Sequence, residues 1–300
     1  MHTRTCPTAV SRMMAAIELG LSLVGPRRLA ELESLSSLNA RAIAAFLGDP
    51  GIADLPPEDV ITTHLYFGSE FCEHLFPEPQ AVERAVAVAG QLGLTLVLAT
   101  PIANDSLLAR ILAAAALLPP TAEILVNDWG VASAVRAAQP QRRLVAGRQL
   151  AKMIKDPRLP SPAWMKLHPS SYGGAAYRGI LERLGIERIE LDVPPFATPD
   201  IYAVPDLAVS VWAPFAYVAK GRICKIGSLR LKPEEKFAPG NLCNQECQGI
   251  VEEGAEPSVA GIVSYARGNT IYYRHTAPMA QVVRAALAQG HVSRLVLSGV

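Results

Sequence analysis

From residue 61 onward, short apolar runs alternate with longer amphipathic stretches along the chain. The β-rich runs lie at Ile61–Phe67, Leu94–Thr100, Ile124–Asn127, Arg143–Ala146, Trp164–Leu167, Arg188–Leu191 and Leu207–Val211. Helical patterns fill most of the gaps, at Pro79–Leu92, Leu107–Leu118, Val131–Ala138 and Tyr177–Leu184. Strands that alternate with helices predict a parallel sheet with helices packed outside it. About seven such units suit a (β/α) barrel, complete or incomplete, with active-site residues at the C-terminal strand ends. A doubly wound open sheet is the alternative.

The two ends of the chain depart from this rhythm. Ala9–Leu23 and Arg27–Phe46 are rich in Ala, Leu and Glu and read as helices, with Gly51–Pro57 breaking the pattern. Residues 1–58 are therefore expected to form a helical segment in front of an α/β region spanning 59–300, all within one domain. In the last third, Phe215–Ser228 reads as mixed strand and loop, and Lys232–Gln248 as loop. Ile262–Tyr265 and Thr270–Arg274, joined through Arg267–Gly268–Asn269, predict a β-hairpin with a glycine-containing turn. The helix Met279–Gln289 and the strand Ser293–Leu297 complete the chain.

Composition changes the picture little. Half of the 300 residues are hydrophobic and 18% are charged, which supplies a large core and argues against disorder. Lys and Arg number 28 against 27 Asp and Glu, so no global field advertises a nucleic acid or a membrane. The apolar run within Met1–Val24 is interrupted by Arg12 and Glu18, which suits an amphipathic helix better than a signal peptide. No window has the length of uncharged apolar sequence that a membrane span requires. A cytoplasmic protein is expected.

The five cysteines change it more. An odd number in a long chain without a secretory signal points away from disulfides, toward metal binding, catalysis or plain burial. Cys243 and Cys247 form a C-x3-C pair in a polar loop flanked by Asn, Gln and Glu, a poor setting for a core residue. Cys224 ends a strand among cations, which stabilise the thiolate that binds metal. Cys72 follows the first strand of the α/β region, so a barrel would bring it to the same face. Four thiolates are the usual ligand set of a [4Fe–4S] cluster. Zinc is the rival metal, although its structural sites favour paired C-x2-C knuckles. His64 and His74 flank Cys72 and would serve zinc or simply pack. Cys6 falls outside the set.

These elements resemble the collagenase-like peptidase family U-32, and within it the short UbiV-like members. The resemblance is carried by the strand–Gly–x3–Cys element ending at Cys72, by Val126–Asn127–Asp128–Trp129–Gly130, and by Gly147–Arg148–Gln149–Leu150–Ala151–Lys152 followed by Asp156–Pro157–Arg158. Gly221–Arg222–Ile223–Cys224 and Cys243-x3-Cys247 complete it, over residues 60 to 250 or so. It implies a barrel-like domain and a four-cysteine [4Fe–4S] site. It also implies oxygen-independent hydroxylation of an aromatic ring, in a ubiquinone precursor or an RNA base, with prephenate as the suspected oxygen donor. A heterodimer with a second family member is implied as well. The peptidase label has little chemistry behind it here, since the sequence holds no G-x-S-x-G elbow and no H-E-x-x-H helix. The helical reading of the first sixty residues departs from the family, whose members open with a strand, and leaves closure of the barrel open.

Other residues offer chemistry with bland alternatives beside it. Asn127 and Asp128 end a strand and would bind substrate, or cap the following helix. Arg148 and Lys152 lie four apart and would share a helix face, binding a carboxylate or phosphate or merely meeting solvent. Glu70 is a candidate proton donor near Cys72, or a surface glutamate. Lys220, Arg222, Lys225, Arg230 and Lys232 surround Cys224 and would raise a cluster's potential or attract an anionic substrate, Arg222 being the substrate-binding candidate. Without interleaved aromatics they are a weak RNA signal. His168, before Pro169, is read as a strand end, and Tyr172, Tyr177, Tyr272 and Tyr273 as packing residues. A redox or structural module without turnover is the alternative to an enzyme.

Overall fold

The computed structural model describes residues 16–57, 59–159, 161–167, 170–221, 223–236, 243–254 and 261–299. Seven parallel strands follow in chain order: β1 (Glu18–Leu23), β2 (Thr62–Gly68), β3 (Thr95–Ala99), β4 (Glu123–Val126), β5 (Arg143–Ala146), β6 (Arg188–Leu191) and β7 (Ala208–Ala213). An antiparallel excursion holds β8 (Phe215–Lys220), β9 (Glu252–Glu253), β10 (Ser264–Arg267) and β11 (Thr270–Arg274). The last strand, β12 (Arg294–Ser298), returns to the parallel set. The helices are α1 (Arg27–Glu33), α2 (Ala40–Leu47), α3 (Pro79–Gln91), α4 (Asp105–Ala116), α5 (Trp129–Ala138), α6 (Pro162–Leu167), α7 (Ala175–Arg183) and α8 (Ala277–Ala288).

Strands β1 to β7 and β12 pair in parallel, edge to edge, into a closed eight-stranded barrel. Closure depends on β1, which pairs with β12 from Glu18–Arg294 to Ser22–Ser298 and with β2 through Leu23–Phe67. This corrects the all-helical reading of the first sixty residues and rules out the open sheet. The cause is local: Glu-Leu-Gly-Leu-Ser-Leu alternates with period two, and Leu19, Leu21 and Leu23 are buried. Gly20 is needed here, because a Cβ would lie 2.7 Å from the Tyr66 ring inside the barrel. Residues 9–15 of that run lie outside the described residues.

Two further expectations are corrected. Arg27–Phe46 is two helices rather than one, and Asn39 caps the second by accepting a hydrogen bond from the Ala42 N–H at 2.9 Å. Trp164–Leu167 is not a strand but the end of α6, with Trp164 and Leu167 exposed. A short apolar run cannot by itself distinguish helix from strand.

The barrel separates two apolar regions. Outside, the strands pack against the helices in one large core. Inside, Tyr66, Val97, Ala99, Leu125, Val145, Trp212 and Val296 fill the lumen. Between β7 and α8 the chain leaves the barrel at its C-terminal face and forms the sheet β8-β11-β10-β9. The predicted hairpin is β10–β11, with Gly268 at φ +61° in its turn. Among the described residues no helix is long and apolar enough to cross a membrane.

Candidate functional site

The path of Cys72 is set by its own loop. At the end of β2, Gly68 has φ +120°, and a Cβ there would sit 2.5 Å from the Ala99 carbonyl oxygen of β3. Only glycine fits that approach. The Ser69 hydroxyl then accepts hydrogen bonds from the N–H groups of Cys72 at 3.1 Å and Phe71 at 3.4 Å, closing a turn over the barrel rim.

The excursion brings the other three cysteines to this rim. Cys224 follows β8, and its sulfur accepts a hydrogen bond from the Gly227 N–H at 3.1 Å. Cys247 is buried in a short 3-10 turn. The loop docks on the barrel through Gln245 Nε2, which donates to the His74 carbonyl at 2.7 Å. Asn269 Nδ2 reaches the Phe71 carbonyl at 3.0 Å. Cys72, Cys224, Cys243 and Cys247 are all free thiols. Burial pushes the Cys247 thiol up to about 11, and the nearby sulfurs of Cys224, Cys72 and Cys243 add to the shift. Burial also raises Cys72 against the N–H groups of His74 and Leu75, with Cys243 and Cys224 acting in the same direction as burial.

Cys72 and Cys247 each feel the sulfurs of Cys224 and Cys243, although no three His, Cys, Asp or Glu side chains among the described residues are arranged to hold a metal ion. Convergence and closure are separate matters. The contacts that bring the segments to this rim run through amide, guanidinium and backbone groups rather than through the sulfurs. The donor chemistry suits a soft-metal centre, an iron–sulfur cluster or zinc, rather than calcium or magnesium.

Beneath the cysteines lies a buried charge cluster. Arg148, just past β5, forms a two-pronged pair with Glu70: Nε to Oε1 at 3.2 Å and Nη2 to Oε2 at 2.5 Å. Its Nη1 donates to Asp192 Oδ1 at 2.7 Å, and its guanidinium lies 4.0 Å over the Trp212 ring. Burial alone would lower Arg148, but Glu70 and Asp192 overturn that and hold it far above its ordinary value. Burial would likewise raise Asp192, but Lys155 at 2.6 Å and Arg148 keep its carboxyl low. Lys155 itself is pushed down to about 8 by burial, against the pull of Asp192, and lies 3.2 Å over the Tyr217 ring.

A cavity of about 630 Å³ opens above this floor, large enough for a small ligand. Cys72 and Cys247 line it together with Glu70, Arg148, Trp212 and Tyr272.

The predicted site residues divide sharply. Glu70 is neither a surface residue nor a free acid, because Arg148 occupies both its oxygens. Arg148 has spent its donors on Glu70, Asp192 and the Phe215 carbonyl, so it is not an open carboxylate site. Lys152 is exposed and shares no helix face with Arg148, since residues 148–150 form a turn. Asp128 caps α5, accepting from the N–H groups of Gly130 and Val131. Asn127 is buried, donates to the Thr100 carbonyl and accepts from Gln149 N–H, joining two rim loops. His64 is buried low in the barrel against Arg294 at 2.8 Å, and burial pushes it down to about 4. His74 is exposed. Arg222, Cys6 and His168 lie outside the described residues. Sequence reasoning missed Asp192, Lys155 and Trp212. Asp192 directly follows a predicted strand, the position at which a barrel displays its ligands, and that was the available signal.

Fold and site together define a closed (β/α)8 barrel whose C-terminal mouth carries an antiparallel sheet, with three cysteines in the connection between β8 and β9. No family model matches the chain, and no curated protein does. Among solved structures, a type I 3-dehydroquinate dehydratase from Clostridium difficile aligns over 66% of this chain and 75% of its own, at 10% identity and TM-score 0.34. A dihydropteroate synthase from Xanthomonas albilineans aligns over 94% and 87%, at 15% identity and TM-score 0.39. A glycoside hydrolase family 18 N-acetylglucosaminidase from Paenibacillus barengoltzii aligns over 94% of both chains, at 9% identity and TM-score 0.39. Likenesses this loose say nothing of chemistry, and the barrel assignment rests on the strand pairing itself.

Proposed function

We propose that this chain is an iron–sulfur protein of the U-32 type, serving oxygen-independent hydroxylation of an aromatic ring in a ubiquinone precursor or an RNA base. The observation that supports it is the docking of the segments of Cys72, Cys224 and Cys247 against one turn at the barrel rim, with Cys243 four residues before Cys247, beside a cavity of about 630 Å³. A cluster bound by four thiolates has no open iron, so it would supply electron transfer. The chain's own part is then to hold the ligand. Trp212 and Tyr272 offer aromatic surface, and the neutralised floor of Glu70, Arg148, Asp192 and Lys155 keeps the cavity's shape. A small anionic donor such as prephenate, and a second family member as partner, belong to the same reading.

A non-catalytic redox or structural module is the second reading. It is favoured by the floor itself, whose buried acids are all paired and so are not free for proton transfer. A peptidase finds less support, since no histidine is among the described residues lining the cavity.

Anaerobic purification tests the metal: the expected result is about four iron and four sulfide per chain with broad visible absorption. A colourless protein carrying stoichiometric zinc would overturn the cluster. Deleting the gene and surveying quinone intermediates and RNA modifications under anoxia tests the reaction. No change in either would leave the redox or structural module in its place.

A further inference from the structure

The four cysteines come from three stretches of chain, Cys72 just past β2 and the other two stretches beyond β8, and fixing such stretches at one point carries an entropic cost. Something other than the sulfurs must meet that cost, because thiols attract one another weakly. The contacts of the β10–β11 turn show what does.

Asn269 Nδ2 donates to the Phe71 carbonyl at 3.0 Å and to the Gly221 carbonyl at 3.2 Å. Phe71 immediately precedes Cys72, and Gly221 lies three residues before Cys224. The Asn269 carbonyl also accepts from the Gly221 N–H at 2.7 Å. Thr270 Oγ1 donates to Asn269 Oδ1 at 3.0 Å, which fixes the amide so that its NH2 faces the two carbonyls. Gly268 accepts from the Ile226 N–H at 3.5 Å. The Cys247 sulfur lies against this turn, 3.4 Å from where a Cβ on Gly268 would stand, and the turn's φ of +61° at Gly268 is what favours glycine there. Arg267 Nε donates to the Cys247 carbonyl at 3.0 Å, and its Nη1 to the Gly299 carbonyl, past the end of β12, at 3.2 Å.

Four consecutive residues, none of them a metal ligand by type, therefore hold the segments of Cys72, Cys224 and Cys247 at once. Cys243 follows through its C-x3-C link to Cys247. A residue serving only to form a hairpin would have no reason to reach two carbonyls on two other cysteine segments.

We propose that the β10–β11 turn is the positioning element of the cysteine site, with Asn269 its central positioning residue, assembling the thiols before any metal arrives. This rests on the reading that the four cysteines act as one centre. It does not depend on which metal they take, or on the reaction. The turn acts as an outer shell that orients ligands, but one built from a single hairpin of the excursion.

The test compares wild type with Asn269→Ala in metal-free protein under anoxia, using a short bifunctional thiol reagent and peptide mapping of the cross-links. Wild type is expected to join Cys72 to Cys224 or Cys247. Asn269→Ala is expected to lose those long-range links about tenfold, the cost of two hydrogen bonds, while keeping the local Cys243–Cys247 link and its far-ultraviolet circular dichroism. Equal long-range yields in the two proteins would overturn the proposal, as would an equal loss of the local link, which marks general loosening. Should Asn269→Ala fail to fold, Thr270→Val, which releases the amide without removing it, decides the matter by the same yields. Iron content after reconstitution is read in parallel. A wild type that takes up no iron refutes the cluster reading and leaves the cross-link result standing.

Discussion

The two ends of the barrel each hold a set of paired charges and put them to opposite uses. At the N-terminal end, Glu18, Glu123, Arg188 and Arg294 are each the first residue of a strand. Arg294 donates to Glu18 at 2.8 Å, to Glu123 at 2.7 Å and 3.2 Å, and to the Tyr66 hydroxyl at 3.0 Å. At the C-terminal end, Glu70, Arg148, Lys155 and Asp192 lie in loops beyond the strands. The upper set has two cations and two carboxylates; the lower has the same four, and the exposed Arg143 at the start of β5 adds a third cation, reaching Glu123 at 3.8 Å. The lower set is built into strands and borders no part of the 630 Å³ cavity, so it is a plug. The upper set sits on loops, and two of its members line that cavity, so it is a floor. Charge pairing alone does not mark a functional site. What marks it is the element that carries the charges and the space they face.

The comparison breaks first at Arg294. Arg294→Met removes the shared partner of Glu18 and Glu123: Glu18 keeps Arg188 at 2.9 Å, but the buried Glu123 is left with only the exposed Arg143 at 3.8 Å, at a cost of about 4–5 kcal/mol. Chemical denaturation measures this. Alkylation of Cys72 in the remaining folded protein is expected to be unchanged, and a shifted rate would mean that the two ends are coupled after all. Arg148→Met is expected to cost less, about 3–4 kcal/mol, because Glu70 can turn to the cavity and Lys155 stays with Asp192. Here Cys72 is affected. An unpaired carboxylate two residues away disfavours its thiolate and slows alkylation roughly threefold. An unaltered rate would separate the floor from the cysteines.

The sequence shows one half of this arrangement far better than the other. Most parallel strands were legible because buried strands in a (β/α) fold are continuous apolar runs between amphipathic helices, and Arg143–Ala146 and Arg188–Leu191 fall on β5 and β6 without adjustment. β1 was not, because its short alternation lies in Ala- and Leu-rich surroundings that favour a helical reading. The cysteines were legible by type and spacing. The floor was hidden because pairing is a property of the fold: Glu70 and Arg148 are 78 residues apart, so each looked like an ordinary charged side chain. Asn269 was hidden in another way. An asparagine beside a glycine already has an explanation as a turn residue, which conceals its reach to Phe71 and Gly221.

Glu190 lies between the two sets and belongs to neither. It accepts from the Tyr66 hydroxyl at 2.7 Å and from Trp212 Nε1 at 2.5 Å, so one oxygen faces the partner of Arg294 and the other the ring that carries Arg148. Among the described residues no cation pairs with it. Burial, reinforced by Glu70, pushes its carboxyl up to about 7 despite those two donors and the more distant Arg294. Since the folded value is raised, Glu190 contributes stability that is fully present below pH ~4.5 and is lost as pH rises through about 7. His64 and His275, lowered to about 4 and about 3, act in the opposite sense, favouring the folded state more as pH rises through the acid range. They are common to wild type and variant and cancel in a difference. Glu190→Gln keeps the shape, can accept from Trp212 and donate to Tyr66, and does not ionise. The stability of wild type minus that of Glu190→Gln is therefore expected to fall by about 2–3 kcal/mol between pH 4.5 and pH 8. Parallel denaturation curves at both pH values measure it. A difference that stays flat would mean that Glu190 has found a counter-charge, and the two clusters would then have to be described as one.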